Sequence, residues 1–137
     1  VDLALVLGLE GVQLGARSLP PSVVRELLGP EALVGVSVHG PDEAVRAENG
    51  GADYLVVGTI FPSPSHPGRS GAGPERVAAV SGGTRVPALA IGGITPERVR
   101  AVLESGAHGV AVLSGIWDAE DPGAALDRYL GALRDRA

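Results

Sequence analysis

The clearest chemical signal is carried by Ala90-Ile91-Gly92-Gly93-Ile94-Thr95-Pro96 and Ala111-Val112-Leu113-Ser114-Gly115-Ile116, two apolar runs that each break into glycine as a helix pattern approaches. Glycine lets backbone N–H groups come close to an anion, and a helix start adds unsatisfied donors and the positive end of a dipole. Gly92, Gly93, Ser114 and Gly115 are therefore candidate phosphate-binding residues, and a phosphorylated small molecule is the expected ligand. His39 and His66 are candidate acid–base residues, because imidazole changes charge near neutral pH. The Ser-Pro-Ser-His-Pro segment also offers Ser63 and Ser65 as anion donors; as simple turn residues they would need no ligand at all. Arg17 and Arg69 offer guanidinium groups of the kind that clamp a carboxylate or phosphate, but an exposed surface arginine is the preferred reading of each.

These residues need a scaffold, and the chain repeats one. Gly8-Leu9-Glu10-Gly11-Val12-Gln13-Leu14-Gly15, Gly51-Ala52-Asp53-Tyr54-Leu55-Val56-Val57-Gly58 and Gly106-Ala107-His108-Gly109-Val110-Ala111-Val112-Leu113 share one order: helix end, glycine, turn, β-run. Two further β-runs, Leu33 to Val38 and Val86 to Ile91, bring the set to five. Helices are expected over 20–29, 41–50, 74–81, 95–105 and 120–135. Pro41, Pro74 and Pro96 fall in first turns, where a missing N–H costs nothing, and Thr95-Pro96-Glu97 reads as cap, first position and acidic first turn.

Strands alternating with helices at this spacing imply βαβ units and a parallel sheet. In Leu33-Val34-Gly35-Val36-Ser37-Val38-His39 the even positions are all valine, while Gly35, Ser37 and His39 share the other face. A valine face under helices opposite a small, polar face suits a barrel lumen, so the expected fold is α/β, a parallel (β/α) barrel type within a single domain, 1–137. Gln13 and Ser37 then face the lumen, as binding groups or as members of a packing network. Residues 59–73 break the rhythm with a Pro-, Ser- and Gly-rich stretch at the carboxyl end of a strand, the side where barrels place their chemistry. His108, at an amino end, belongs to the stability face.

Composition excludes several classes. A net charge of −5, with 11 Lys plus Arg spread along the chain, gives no basic stripe for nucleic acid. One Trp, two Tyr and one Phe supply little base stacking. Without cysteine there is no disulfide framework or thiolate metal site, which fits a cytoplasmic protein. No apolar run reaches membrane-spanning length.

Taken together, Asp2-Leu3-Ala4-Leu5, Gly11-Val12-Gln13-Leu14-Gly15, Gly35-Val36-Ser37-Val38-His39, Gly51-Ala52-Asp53-Tyr54, Val57-Gly58-Thr59-Ile60-Phe61-Pro62, Ala90-Ile91-Gly92-Gly93-Ile94 and Gly109 to Ile116 resemble the thiamine phosphate synthase / TenI superfamily. The resemblance covers essentially the whole chain. It implies a (β/α)8 barrel that holds a thiazole phosphate on the Gly-Gly-Ile turn and the final serine-containing turn. It also implies that the first three strands have no counterpart, so that about five of eight βα units are present. Open sheet edges would then call for a second copy or a complementary barrel segment.

The family has two chemistries. In the synthase, a Mg2+-bound pyrimidine pyrophosphate loses pyrophosphate and the thiazole nitrogen attacks the resulting carbocation. The resemblance places Ser18 where a metal-binding aspartate is expected and His66 where a lysine is expected, and a hydroxyl is a poor substitute for a carboxylate at Mg2+. The TenI-type tautomerase moves a proton without a metal; its usual histidine position is Thr59, and His66 or His39 would have to serve instead. This pattern favours the tautomerase, with no cofactor and no metal ligand in the chain. The alternatives are the Mg2+-dependent synthase and a non-catalytic module that binds a phosphate ligand or pairs with another half barrel.

Overall fold

The computed structural model describes residues 1–63, 68 and 70–134. Strands and helices alternate over most of the chain, and two helices beyond those expected, α1 and α6, are present: α1 (Asp2–Leu7), β1 (Gly11–Leu14), α2 (Pro21–Leu28), β2 (Leu33–Val38), α3 (Pro41–Asn49), β3 (Tyr54–Val57), α4 (Pro74–Ser81), β4 (Ala88–Ile91), α5 (Pro96–Glu104), β5 (Gly109–Ala111), α6 (Ser114–Trp117) and α7 (Pro122–Arg134). All strands are parallel, in the order β1-β2-β3-β4-β5. The sheet is open, with β1 and β5 at its edges.

The local chemistry explains the boundaries. Helices α2, α3, α4 and α5 each carry proline in the first turn, where φ is already helical and no amide is lost. Strand β4 starts at Ala88 rather than Val86, since Pro87 has no N–H for the ladder; its carbonyl accepts from Leu55 N–H at 2.8 Å. The expected cap at Thr95 occupies the right position, yet its side chain bonds no backbone amide. Instead the Thr95 hydroxyl hydrogen-bonds Glu97, the main reason that the Glu97 carboxyl sits below its usual range.

Strand β2 shows the two faces of the sheet. Val34 and Val38 are buried under helices, Val34 with Leu14 and Val24, and Val38 with Leu55, Val57, Val77, Ala90 and Val99 in the main core. On the opposite face the register aligns Gln13 with Gly35 and Gly35 with Tyr54. A Cβ on Gly35 would collide with the Gln13 carboxamide and the Tyr54 ring, so only glycine lets both lie across the strand. Gln13 Nε2 donates to Ser37 Oγ at 3.0 Å, which makes the two lumen-facing residues one hydrogen-bonded pair.

At the amino ends of the strands, Arg25 is the fastener. Its guanidinium donates to the carbonyls of Gly29, Pro30, Ala32 and Gly51 and pairs with Asp53 Oδ2 at 2.6 Å. Asp53 Oδ2 also accepts the Val34 N–H at 2.6 Å, so one ion pair ties α2, β2 and the entry to β3. Asp53→Ala is expected to destabilise the chain by about 1–3 kcal/mol, because a charge-assisted bond is lost and a backbone amide is left without its acceptor. Urea unfolding followed by far-UV circular dichroism reads that loss as a lower midpoint at unchanged slope.

Candidate functional site

A cavity of about 280 Å³ lies at the carboxyl ends of β3, β4 and β5. Its walls include Thr59, Pro62 and Ser63 after β3, Ile91 to Thr95 at the end of β4, and Ala111 to Gly115 at the end of β5, with Arg98 and Tyr129 from α5 and α7. Four candidates, Gly92, Gly93, Ser114 and Gly115, are thus brought together, with Ser63 beside them.

The glycines are required by contact as well as by conformation. Gly92 and Gly93 have φ of 102° and 59°, where a side chain is strained. A Cβ on Gly92 would also press on Thr59, and one on Gly93 would collide with the Pro62 carbonyl and Phe61. The chain after β3 pairs with the same turn, Ile60 N–H donating to Ile91 O at 3.0 Å and Phe61 N–H to Gly92 O at 2.9 Å. Ser114 and Gly115 lie where the strand-end pattern approaches a helix, although helix α6 itself was not among those expected. They are the first two residues of α6, so their N–H groups precede any intrahelical acceptor. Gly115 is small because the Tyr129 hydroxyl fills the space of its Cβ. That hydroxyl donates to Ile94 O at 2.8 Å and fixes α7 against the glycine turn. Burial, and then the charge of Glu97, raise the Tyr129 pKa, so the phenol keeps its proton.

The remaining candidates lie elsewhere. His39 follows β2 and lines a separate groove with Gly15, Pro21, Ser37, Glu43 and Arg46. Its ring Nδ1 is 3.2 Å from Glu43 Oε2, which also accepts the His39 N–H at 2.7 Å. His108 is exposed at the start of β5, its N–H bonded to Ala88 O at 2.8 Å. Ser65, His66 and Arg69 lie outside the described residues. Two further side chains on the cavity wall, Arg98 and Tyr129, were not among the sequence candidates. The signal for Arg98 was present in its first-turn position directly after the glycine turn.

Ser18 closes a tight turn, its Oγ accepting the Gly15 N–H at 3.0 Å. Among the described residues no three His, Cys, Asp or Glu side chains gather as a metal site. The donors present do not fit Mg2+, whose usual protein ligands are carboxylates.

A glycine-walled cavity at the carboxyl ends of an open sheet of parallel strands alternating with helices is the architecture of an α/β protein of the TIM-barrel-like class. The chain belongs to the TMP-TENI, thiamine monophosphate synthase, family, whose model matches residues 1–116. It is 44% identical over 134 residues to the thiamine-phosphate synthase of Mycobacterium bovis, covering 96% of this chain and 60% of that protein. It is 46% identical over 136 residues to that of Natronomonas pharaonis, covering 97% and 64%. The solved thiamine phosphate pyrophosphorylase of Pyrococcus furiosus superposes with a TM-score of 0.86 at 35% identity, covering 98% of this chain and 64% of that one. The chain thus spans somewhat under two thirds of the length of these relatives. A solved 3-hexulose-6-phosphate synthase, at 22% identity and a TM-score of 0.74, shares the fold. The thiamine-phosphate synthases and the pyrophosphorylase carry the names of that one activity, and none of the three is named as a tautomerase.

Two outcomes follow from the site. Gly93→Ala should abolish binding of a phosphorylated ligand, because its Cβ meets backbone that pairs with β4. Gly8→Ala, also at positive φ but with open space around its Cβ, should cost only about 1 kcal/mol; calorimetric titration and thermal melts separate the two. Burial pushes the Glu43 carboxyl up, but its bonds to the His39 N–H and ring outweigh this and hold it below the usual value. A depressed carboxylate adds stability above its unfolded pKa and loses it as pH falls through the lower folded value. Glu43→Gln should therefore flatten the acid side of a stability–pH profile below about pH 4.5.

Proposed function

We propose that this chain forms the thiazole-phosphate-binding part of a thiamine phosphate synthase, which couples a pyrimidine pyrophosphate to a thiazole phosphate with release of pyrophosphate. The observation that carries this reading is the cavity whose walls are the Gly92–Gly93 turn and the Ser114–Gly115 helix start. The synthase names of the relatives support it over the tautomerase.

In this reading the phosphate of the thiazole sits between the two glycine-containing ends, where backbone N–H groups and the Ser114 hydroxyl donate to its oxygens. The bond that forms joins the thiazole nitrogen to the pyrimidine methylene carbon, and the bond that breaks joins that carbon to pyrophosphate. The residues of this chain bind and orient the nucleophile. Burial of its phosphate in a small cavity fixes the direction of its ring nitrogen, the kind of positioning that lowers a bimolecular barrier. No step is assigned to a metal ion, because the described residues supply no carboxylate set for one.

Formation of thiamin phosphate from both substrates with Mg2+, read as thiochrome fluorescence, tests the proposal. Product with equimolar pyrophosphate supports it. Metal-free isomerisation of a thiazole carboxylate phosphate, seen as an ultraviolet absorbance change without any thiochrome, would return the tautomerase.

A further inference from the structure

The sequence contains one tetrapeptide twice, Pro74-Glu75-Arg76-Val77 and Pro96-Glu97-Arg98-Val99, each opening a helix that follows a glycine-ended strand. The valines are both fully buried. Each arginine reaches back to a glycine carbonyl near the end of the preceding strand, Arg76 Nη1 to Gly58 O at 2.9 Å and Arg98 Nη1 to Gly93 O at 2.7 Å. The two units differ in what surrounds the guanidinium. Arg76 is half-buried and is not part of the cavity wall, whereas Arg98 is exposed and lines it.

Among the described residues, Arg98 is the one charged side chain on that wall. Its guanidinium lies over the Phe61 ring, 4.6 Å from the centroid, so its plane is held by stacking as well as by Gly93. Among the described residues it forms no ion pair with a carboxylate, while Arg25, Arg85 and Arg100 each have one. A fixed, unneutralised guanidinium beside backbone donors is the arrangement that recognises a phosphate dianion.

Building on the proposed thiazole-phosphate site, we infer that Arg98 is a phosphate-binding residue, held ready by Gly93 and Phe61, and that Arg76 is its structural counterpart without a ligand. Arg98 supplies the charge that backbone amides lack. The Gly93 carbonyl takes one of its N–H groups, and the others remain for phosphate oxygens.

Calorimetric titration of the full chain with thiazole phosphate, with inorganic phosphate and with the unphosphorylated thiazole alcohol tests this. Arg98→Met should weaken thiazole phosphate about five- to tenfold, after discounting for solvent exposure. It should also flatten the fall in affinity with added KCl and leave the alcohol unaffected. Arg98→Lys should recover most of the loss, and Arg76→Met should leave the salt response at its wild-type slope. Arg98→Gln, which keeps a donor for Gly93 without the charge, carries the same test if Arg98→Met loses its circular dichroism. Wild-type affinity and salt response in folded Arg98→Met or Arg98→Gln would overturn the inference alone. A wild-type chain that binds neither phosphate probe would overturn the site reading beneath it.

Discussion

The site depends on one close approach between backbones. After β3 the chain runs on beside β4 and its glycine turn, so that Ile60 and Phe61 donate to Ile91 and Gly92. Two strands can be this near past their ends only if side chains are missing at the crossing, and Gly58, Gly92 and Gly93 are the residues found there. A Cβ on Gly58 would meet Ile91, one on Gly92 would meet Thr59 and one on Gly93 would meet Phe61 and Pro62. The cavity lies beside this seam. Its floor is therefore set by main chain, which is rigid and rich in donors, rather than by rotamers.

That seam is held in place by a division of labour along the sheet axis. The valine and alanine face packs under α3, α4 and α5 as the main core, which accounts for most of the favourable free energy by burial of apolar area. The amino ends are fastened by Arg25 and Asp53. At the carboxyl ends, Arg76, Arg98 and Tyr129 each donate to a strand-end or turn carbonyl. All three satisfy acceptors that the sheet ladder leaves over, and so they stiffen the loops from which the cavity is made. Flanking both sheet edges are exposed apolar side chains, among them Leu3 and Val6 on α1 and Leu113 and Trp117 beside β5. An open parallel sheet with such flanks carries unpaired ladder groups on both sides.

Much of this was legible in the sequence because it rests on local rules. Alternation in Leu33 to Val38 showed which face is core, and the first-turn prolines Pro41, Pro74 and Pro96 marked three helix starts within a residue. The glycine pair was readable as an anion turn because positive φ and close approach are reasons intrinsic to glycine. What was illegible depended on contacts between distant segments. Ser114 and Gly115 read as a strand-to-helix turn, and the need for glycine at 115 became visible only with the Tyr129 hydroxyl of α7 in the space of its Cβ. His39 was readable as a residue beyond a strand end, but its orientation follows from Glu43 one helical turn into α3. Arg98 was passed over because its partners, Phe61 and the Gly93 carbonyl, lie on a different surface from the helix face its sequence position suggests.

The charge distribution bears on which family chemistry this portion of chain can perform. Condensing a pyrimidine pyrophosphate with a thiazole phosphate requires two anionic groups to be handled at once, and one site cannot serve both. The described residues that wall the cavity offer neutral amides, a hydroxyl-bearing helix start and one guanidinium, with no cluster of carboxylates near them. Pyrophosphate departure demands cations or protonated side chains around the leaving group, and the Ser18 turn offers a hydroxyl already bonded to Gly15. Phosphate recognition and leaving-group activation are therefore separable in this fold. The ends of β4 and β5 carry the glycine-walled cavity, while β1, with Gln13 and the Ser18 turn, borders a different one.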